Sequence, residues 1–212
     1  MRTQITKNQA NFYQIVFNAK NRAMFAELSK QESFTAVEIN GKFYECFSQL
    51  RGYLTNVGFD ELKTSTGKIL CKFSFSLSYQ TETGQIAKHI VTMFDSDKFA
   101  VSFYEKLCFL SDDELIKVLS NPISVSPYSF TDETGKHRCG LTIKLLPDIM
   151  CMNDDDRIGE IKNFHSKQNP LPVEPVTTKK GTKTIWNFEP VTAYYVECVE
   201  NLKQRIRSIL NS

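Results

Sequence analysis

The sequence has little net charge and none of the long apolar runs of a membrane protein. Lysine and arginine total 26 against 24 aspartate and glutamate, which leaves a net charge of +2 over 212 residues. This balance gives no global argument for a polyanionic partner, so any attraction to one must come from a local surface. No apolar stretch approaches the length of a membrane-spanning helix, and we expect no membrane partner. The N-terminus lacks a cationic stretch followed by an apolar run, and we expect no signal peptide.

Cysteine is present, but its spacing fits neither a metal site nor a disulfide framework. The six cysteines contain no CxxC pair, and Cys71, Cys108 and Cys139 lie within apolar runs. Such a pattern is typical of buried thiols in a reducing compartment. His137 and Cys139 alternate on one segment without a second ligand pair, so the sequence predicts no zinc site and no cofactor.

The chain does contain a series of strands separated by turns. In the clearest of them, residues 69–79, apolar and polar side chains alternate strictly, which indicates one buried and one polar face. In the first strand, Gly52 and Gly58 are expected to mark bends or bulges. The five predicted strands are residues 49–58, 69–79, 88–94, 123–130 and 139–144.

Two helices are predicted between the third and fourth strands. Here the spacing of apolar residues changes from every second residue to about every 3.6 residues, the repeat of an α-helix. Phe99, Phe103, Leu107 and Leu110 then lie along one side of the helix. Ser111 and the acids after it cap a second helix that runs through Leu119. Five strands interrupted once by a helix follow the order of an OB barrel. We therefore predict a mainly β, α+β fold built on a closed five-stranded OB barrel.

The segments around the barrel are predicted as follows. A helix runs from about Asn8 to Ser29, although residues 12–17 also fit a strand, and Asn40-Gly41 sits between two apolar runs as a hairpin turn. The last segment is an amphipathic helix beginning at Pro190, which should pack on the barrel or on a partner, including a second copy of the chain. The four regions are an N-terminal helix and hairpin extension (1–41), the OB domain (42–147), a polar linker or arm (148–189) and the terminal helix (190–212).

Several short motifs follow one another in a fixed order through the OB region. They are Arg51-Gly52-Tyr53-Leu54, the alternating second strand, residues 125–130, Gly135-Lys136 and Gly140-Leu141-Thr142-Ile143. Their order over residues 42–147 resembles that of single-stranded DNA-binding proteins of tailed bacteriophages. The resemblance implies a non-enzymatic OB-fold protein of the host cytoplasm that coats single-stranded DNA, without strong sequence preference, during replication or recombination. Phage replication proteins are then possible partners.

Binding a single strand without base choice requires cations for the phosphates and exposed rings for stacking. The phenylalanines of the second strand share the core face, so Lys72 belongs to the outer surface, and on the first strand Arg51 and Tyr53 face away from Leu54. The candidate nucleic-acid-binding residues are Arg51, Tyr53, Lys72, Lys88, Tyr128, Lys136 and Arg138.

Two other functions remain open at this point. The near-neutral charge and the absence of the acidic tail that many such phage proteins carry are compatible with an assembly or virion protein that uses the barrel and the terminal helix. A metal-dependent nuclease could use Asp154, Asp155, Asp156 and Glu160, although adjacent acids in a polar segment are more often solvated.

Overall fold

The protein, described by a computed structural model, has an α+β fold in which helices pack against one face of a mainly antiparallel sheet. The structure describes residues 9–14, 24–28, 37–39, 41–63, 65–67, 69–94, 98–149, 157–164, 174–177, 184–187 and 189–211. The strands are β1 Gln9–Gln14, β2 Met24–Leu28, β3 Val37–Ile39, β4 Lys42–Phe47, β5 Leu50–Lys63, β6 Ile69–Gln80, β7 Ile86–Phe94, β8 Ile123–Thr131, β9 His137–Leu145, β10 Gly159–Glu160, β11 Glu174–Thr177 and β12 Thr184–Asn187. The helices are α1 Lys98–Leu107, α2 Asp112–Ser120 and α3 Glu189–Leu210.

Ten strands form one sheet in the order β10-β9-β8-β5-β6-β7-β1-β2-β4-β3, and β11 and β12 form a separate hairpin. From β10 to β7 every neighbouring pair is antiparallel, whereas β1 joins β7 in parallel. The long strand β5 lies at the centre of the antiparallel part. Its residues 50–52 pair with β8, and the remainder pairs with β6.

The irregularity expected in the first predicted strand is present in β5. The register with β6 shifts between Leu54 and Asn56, so Thr55 forms a bulge between the two glycines. Gly52 approaches β6 so closely that a Cβ there would lie 2.6 Å from the carbonyl oxygen of Ser78. A side chain at this position would therefore push the two strands apart.

The core lies between one face of the sheet and the three described helices. Alternation on β6 buries Phe73, Phe75 and Leu77, as the sequence predicted. The ring of Phe75 stacks on Phe103 of α1 at 4.7 Å. The helices contribute further buried side chains to the same cluster, among them Leu115, Leu119, Tyr195, Val199, Leu202 and Ile206.

The helices begin and end close to where the sequence placed them. At the start of α2, the Glu114 amide donates to Ser111 Oγ and the Ser111 amide donates to the Glu114 carboxylate at 2.8 Å, which confirms the predicted cap. The predicted terminal helix corresponds to α3, whose apolar stripe is buried against the protein's own sheet and helices. Within this stripe, the hydroxyl of Tyr195 donates to the carboxylate of Glu105.

The predicted closure into a five-stranded barrel is wrong for the described strands, because β7 and β9 are not paired. β7 pairs instead with β1. On the edge of β9, the hydroxyl of Ser102 in α1 accepts from the Leu141 amide at 3.0 Å and donates to the Leu141 carbonyl at 3.2 Å. Further along that edge, the Ile161 amide donates to the Ile143 carbonyl. The groups that a closing strand would use are therefore already satisfied.

The N-terminal prediction is partly wrong. Where a helix was expected between Asn8 and Ser29, the structure has strands β1 and β2. The physical reason is that the exposed edge of β7 offers backbone partners to residues 9–14, and tertiary pairing of this kind overrides local helical periodicity. The hairpin around Asn40-Gly41 is confirmed, since β3 and β4 pair across it and Gly41 has a φ of 78°.

The predicted polar arm contains more structure than expected. Residues 159–160 add strand β10 to the edge of β9, and Ile161 is buried beside them. Residues 174–177 and 184–187 pair as the β11–β12 hairpin. The acidic run at residues 154–156 lies outside the described residues.

Candidate nucleic-acid interface

One row of predicted residues crosses three strands on the sheet face opposite the helices. We call this the outer face and define it by Tyr53, Asn56, Lys72, Ser74, Ser76, Ser78, Lys88, Ile90 and Thr92. In the strand register, Ser78 of β6 lies between Tyr53 of β5 and Lys88 of β7. Tyr53 is 39% exposed. A ring, a hydroxyl and a cation thus lie side by side.

The cations of this part of the sheet differ in their surroundings. Lys72 lies directly opposite Asp60 in the register, and opposite charges at such positions offset one another. The side chain of Arg51 donates from Nε to Gln49 Oε1 at 2.9 Å. Lys88 has the uncharged residues Ser78 and Ala10 as its cross-strand neighbours. Lys88 and Arg51, whose cross-strand neighbour is Ser124, therefore have uncharged residues opposite them, whereas Lys72 has an acid.

A second group of predicted residues lies at the turn between β8 and β9. Asp132 organises this turn, because its Oδ1 accepts from the amides of Thr134 at 3.0 Å and Lys136 at 2.9 Å, and its Oδ2 accepts from Arg138 Nε at 2.8 Å. The Thr134 hydroxyl, which donates to Oδ1 at 2.6 Å, and these bonds hold the pKa of Asp132 well below its usual range. Lys136 and Arg138 are both exposed, although Asp132 offsets part of the Arg138 charge.

Tyr128 lies half-buried over a glycine of the neighbouring strand. Gly140 is its register partner on β9, and a Cβ at Gly140 would lie 2.7 Å from the Tyr128 hydroxyl and 2.8 Å from Ser102 Oγ. The ring therefore needs glycine at that position. Burial raises the pKa of Tyr128, and a hydrogen bond with Ser102 opposes this effect. Phe130, two residues further along β8, is 46% exposed, with its ring 6.0 Å from that of Tyr128.

Both groups lie on the outer face of the sheet. Arg51 of β5 is opposite Ser124 of β8, and Ser124 has the same strand parity as Tyr128 and Phe130. Across the next ladder, Arg138 of β9 is opposite Phe130. By strand parity the two groups share one face of the sheet, although Ser124 between them is buried and α1 reaches this face beside Tyr128 through Ser102 and Lys106.

A cavity of about 530 Å³ opens beside Tyr128. Its walls are Tyr128 and Phe130 from β8, Asp132 and Arg138 from the turn and β9, and Lys106, Thr142 and Glu160. Burial lowers the pKa of Lys106, and the charge of Glu160 opposes that effect. Sequence reasoning missed Phe130, Lys106 and Thr142, and it named Glu160 only as an acid of the nuclease alternative. Of these residues, only Phe130 carried a signal in the sequence, because it lies two positions from Tyr128 on the same strand and therefore on the same face.

A separate apolar cleft of about 660 Å³ lies between α1, α2 and residues 158–164. The rings of Phe109 and Phe164 stack there at 4.4 Å, and Ile158 and Phe164 are largely exposed at its rim. It shares Lys106 and Glu160 with the cavity beside Tyr128.

No family model, curated protein or solved structure matches the chain. Within the described residues there is no group of three or more His, Cys, Asp or Glu side chains placed to hold a metal ion. Among the described helices, none combines the length and apolar character needed to cross a membrane.

Proposed function

We propose that this protein binds single-stranded DNA on the outer face of its sheet and coats it without covalent chemistry, as the phage proteins that its sequence resembles do. The observation that carries the proposal is the row of Tyr53, Ser78 and Lys88, a stacking ring beside a phosphate-binding cation. The turn with Lys136 and Arg138 extends the same face.

The strand order supports this proposal. In an OB fold the first strand pairs with both the second and the fourth, and a helix separates strands three and four. Here β5 pairs with both β6 and β8, and α1 and α2 stand between β7 and β8. OB folds are often partly open, and they bind single strands on the face of strands two and three and on the loop between strands four and five. The equivalent positions here are β6, β7 and the Asp132 turn.

The chemistry of the outer face suits an unpaired strand better than a duplex. Each base that stacks on an aromatic ring contributes roughly 1–3 kcal/mol, and this contact needs a base released from its partner. Tyr53 and Phe130 are the large rings exposed on this face among the described residues. The small side chains of serines 74, 76 and 78 leave room for a strand at the centre of the face. Their hydroxyls can donate hydrogen bonds to phosphate or sugar oxygens.

The test is a matched pair of lysine variants. We expect Lys88→Ala to weaken binding of a labelled single strand of about thirty bases. Because one phosphate contact is lost, the slope of log affinity against log salt concentration should fall by about one. Lys117→Ala removes the same charge from an exposed position on α2, on the helical side of the sheet. We expect the control to bind like the unmodified protein. Equal losses in both variants, or none in either, would place binding elsewhere.

One observation favours the alternative of an assembly protein, namely the exposed Ile158 and Phe164 at the rim of the apolar cleft. The helix α3, on which that alternative first relied, has its apolar stripe inside the core. Light scattering tests the idea. If the protein assembles through this rim, Phe164→Asp should lower the molar mass of the particle in solution. An unmodified protein with the molar mass of a monomer would exclude such assembly.

A further inference from the structure

The cavity beside Tyr128 is assembled from β8, β9, α1 and β10. Phe130 and Tyr128 supply two rings on adjacent outer-face positions of one strand, and Thr142 adds a hydroxyl from the next strand. On the far side, Lys106 is nearly fully buried and donates from Nζ to the Ile161 carbonyl at 2.8 Å. The cavity therefore has an aromatic wall facing a polar one.

The charges of the cavity balance. Arg138 is bonded to Asp132, and Lys106, whose pKa burial lowers, lies close enough to Glu160 for that carboxylate to oppose the effect. Two cations and two acids leave no net charge to attract a phosphate. A neutral planar ring with hydrogen-bonding edges is a better match than a phosphate, because it can stack on the aromatic wall while its edge meets the polar wall.

Glu160 is the polar group most available to such a ring. Its cationic neighbours are Lys144, opposite it in the register with β9, and Lys162, whose ion pair is long at 3.7 Å with 79% of the lysine side chain exposed, and an exposed pair of this kind is weak. Asp132, in contrast, already accepts from three residues of its own turn. The carboxylate of Glu160 can therefore accept a hydrogen bond from an amino group on a bound ring.

We propose that this cavity takes one base of the bound strand and that Glu160 makes it favour cytosine over uracil or thymine. The inference rests on the proposed function and goes beyond it, since it gives the coating protein a base preference at one position. Cytosine presents an amino donor at C4, whereas uracil and thymine present a carbonyl acceptor there. An acceptor facing the carboxylate is repelled, and a donor is bound.

The test compares two labelled strands of equal length, one of deoxycytidine and one of deoxyuridine, which differ at C4 and at the neighbouring ring nitrogen and share all else. We expect the unmodified protein to bind the deoxycytidine strand about tenfold more tightly, the size of one hydrogen bond to a charged group. In Glu160→Gln, the side-chain amide can donate as well as accept, and the two affinities should become nearly equal.

Glu133→Gln is the matched control. Glu133 is an exposed acid in the neighbouring turn that does not line the cavity, so its loss changes the net charge equally while the base preference stays. Equal binding of the two strands by the unmodified protein, or an undiminished preference in Glu160→Gln, would overturn the base pocket and leave the proposed function standing. Failure to bind either strand would refute both.

Discussion

Replacing Gly52 by alanine should destabilise the protein because two strands meet too closely at this residue. A Cβ at position 52 would lie 2.6 Å from the Ser78 carbonyl oxygen and 3.0 Å from the Leu77 Cβ, and both obstacles belong to the buried strand β6. Neither can move without shifting the core residues around Leu77. Overpacking of this kind costs about 1–3 kcal/mol.

Gly58 provides the matched control on the same strand. A Cβ there would meet only Ser74 Oγ at 3.8 Å, an ordinary contact. Gly58→Ala should be neutral or slightly stabilising, since alanine also restricts the unfolded chain. Thermal unfolding measures the difference, because 1 kcal/mol corresponds to about 2–4 °C in Tm for a chain of this size. A Gly52→Ala protein as stable as Gly58→Ala would refute the close approach of β5 and β6.

Three further predictions concern single side chains. Burial lowers the pKa of His89 from 6.5 to about 4, so its contribution to stability is complete above pH 6.5 and is lost as the pH falls toward 4. His89→Phe, which keeps a ring stacked on Tyr79, should flatten the loss of unfolding free energy over that window; an unchanged slope would assign it to other groups. Tyr195→Phe removes the donor to the buried Glu105 carboxylate and should cost about 1.5–3 kcal/mol in urea unfolding, whereas a cost near zero would contradict the bond. Tyr53→Ala should weaken binding of a single strand by roughly 1–3 kcal/mol, and equal affinity would remove Tyr53 from the interface.

Local patterns in the sequence were enough to predict much of the central sheet. The alternation around Phe73 and Phe75 fixed which face of β6 is buried, and the Ser111 cap fixed the start of α2. Gly41 marked the β3–β4 turn because its positive φ is a local requirement. In each case the signal and the structure it determines lie within a few residues of one another.

The features that the sequence did not predict depend on distant contacts. Strand β1 forms because the edge of β7, more than seventy residues away, accepts it. The barrel does not close because Ser102 and Ile161 occupy the edge of β9. No sequence motif around either residue indicates that it binds this edge.

The candidate site divides in the same way. Tyr53 and Lys88 could be assigned to the outer face from strand parity alone, and the register then brings them into one row. Glu160 could not be assigned, because its place beside Tyr128 depends on a two-residue strand in a segment that reads as a polar linker.

The most direct test of single-strand binding on the outer face is a titration of the unmodified protein into a labelled single strand and the matching duplex at several salt concentrations. We expect the single strand to bind more tightly than the duplex, with an affinity that falls steeply as salt rises because displaced counterions drive association. No binding at low salt, or equal binding of both forms with no salt dependence, would contradict the proposed function.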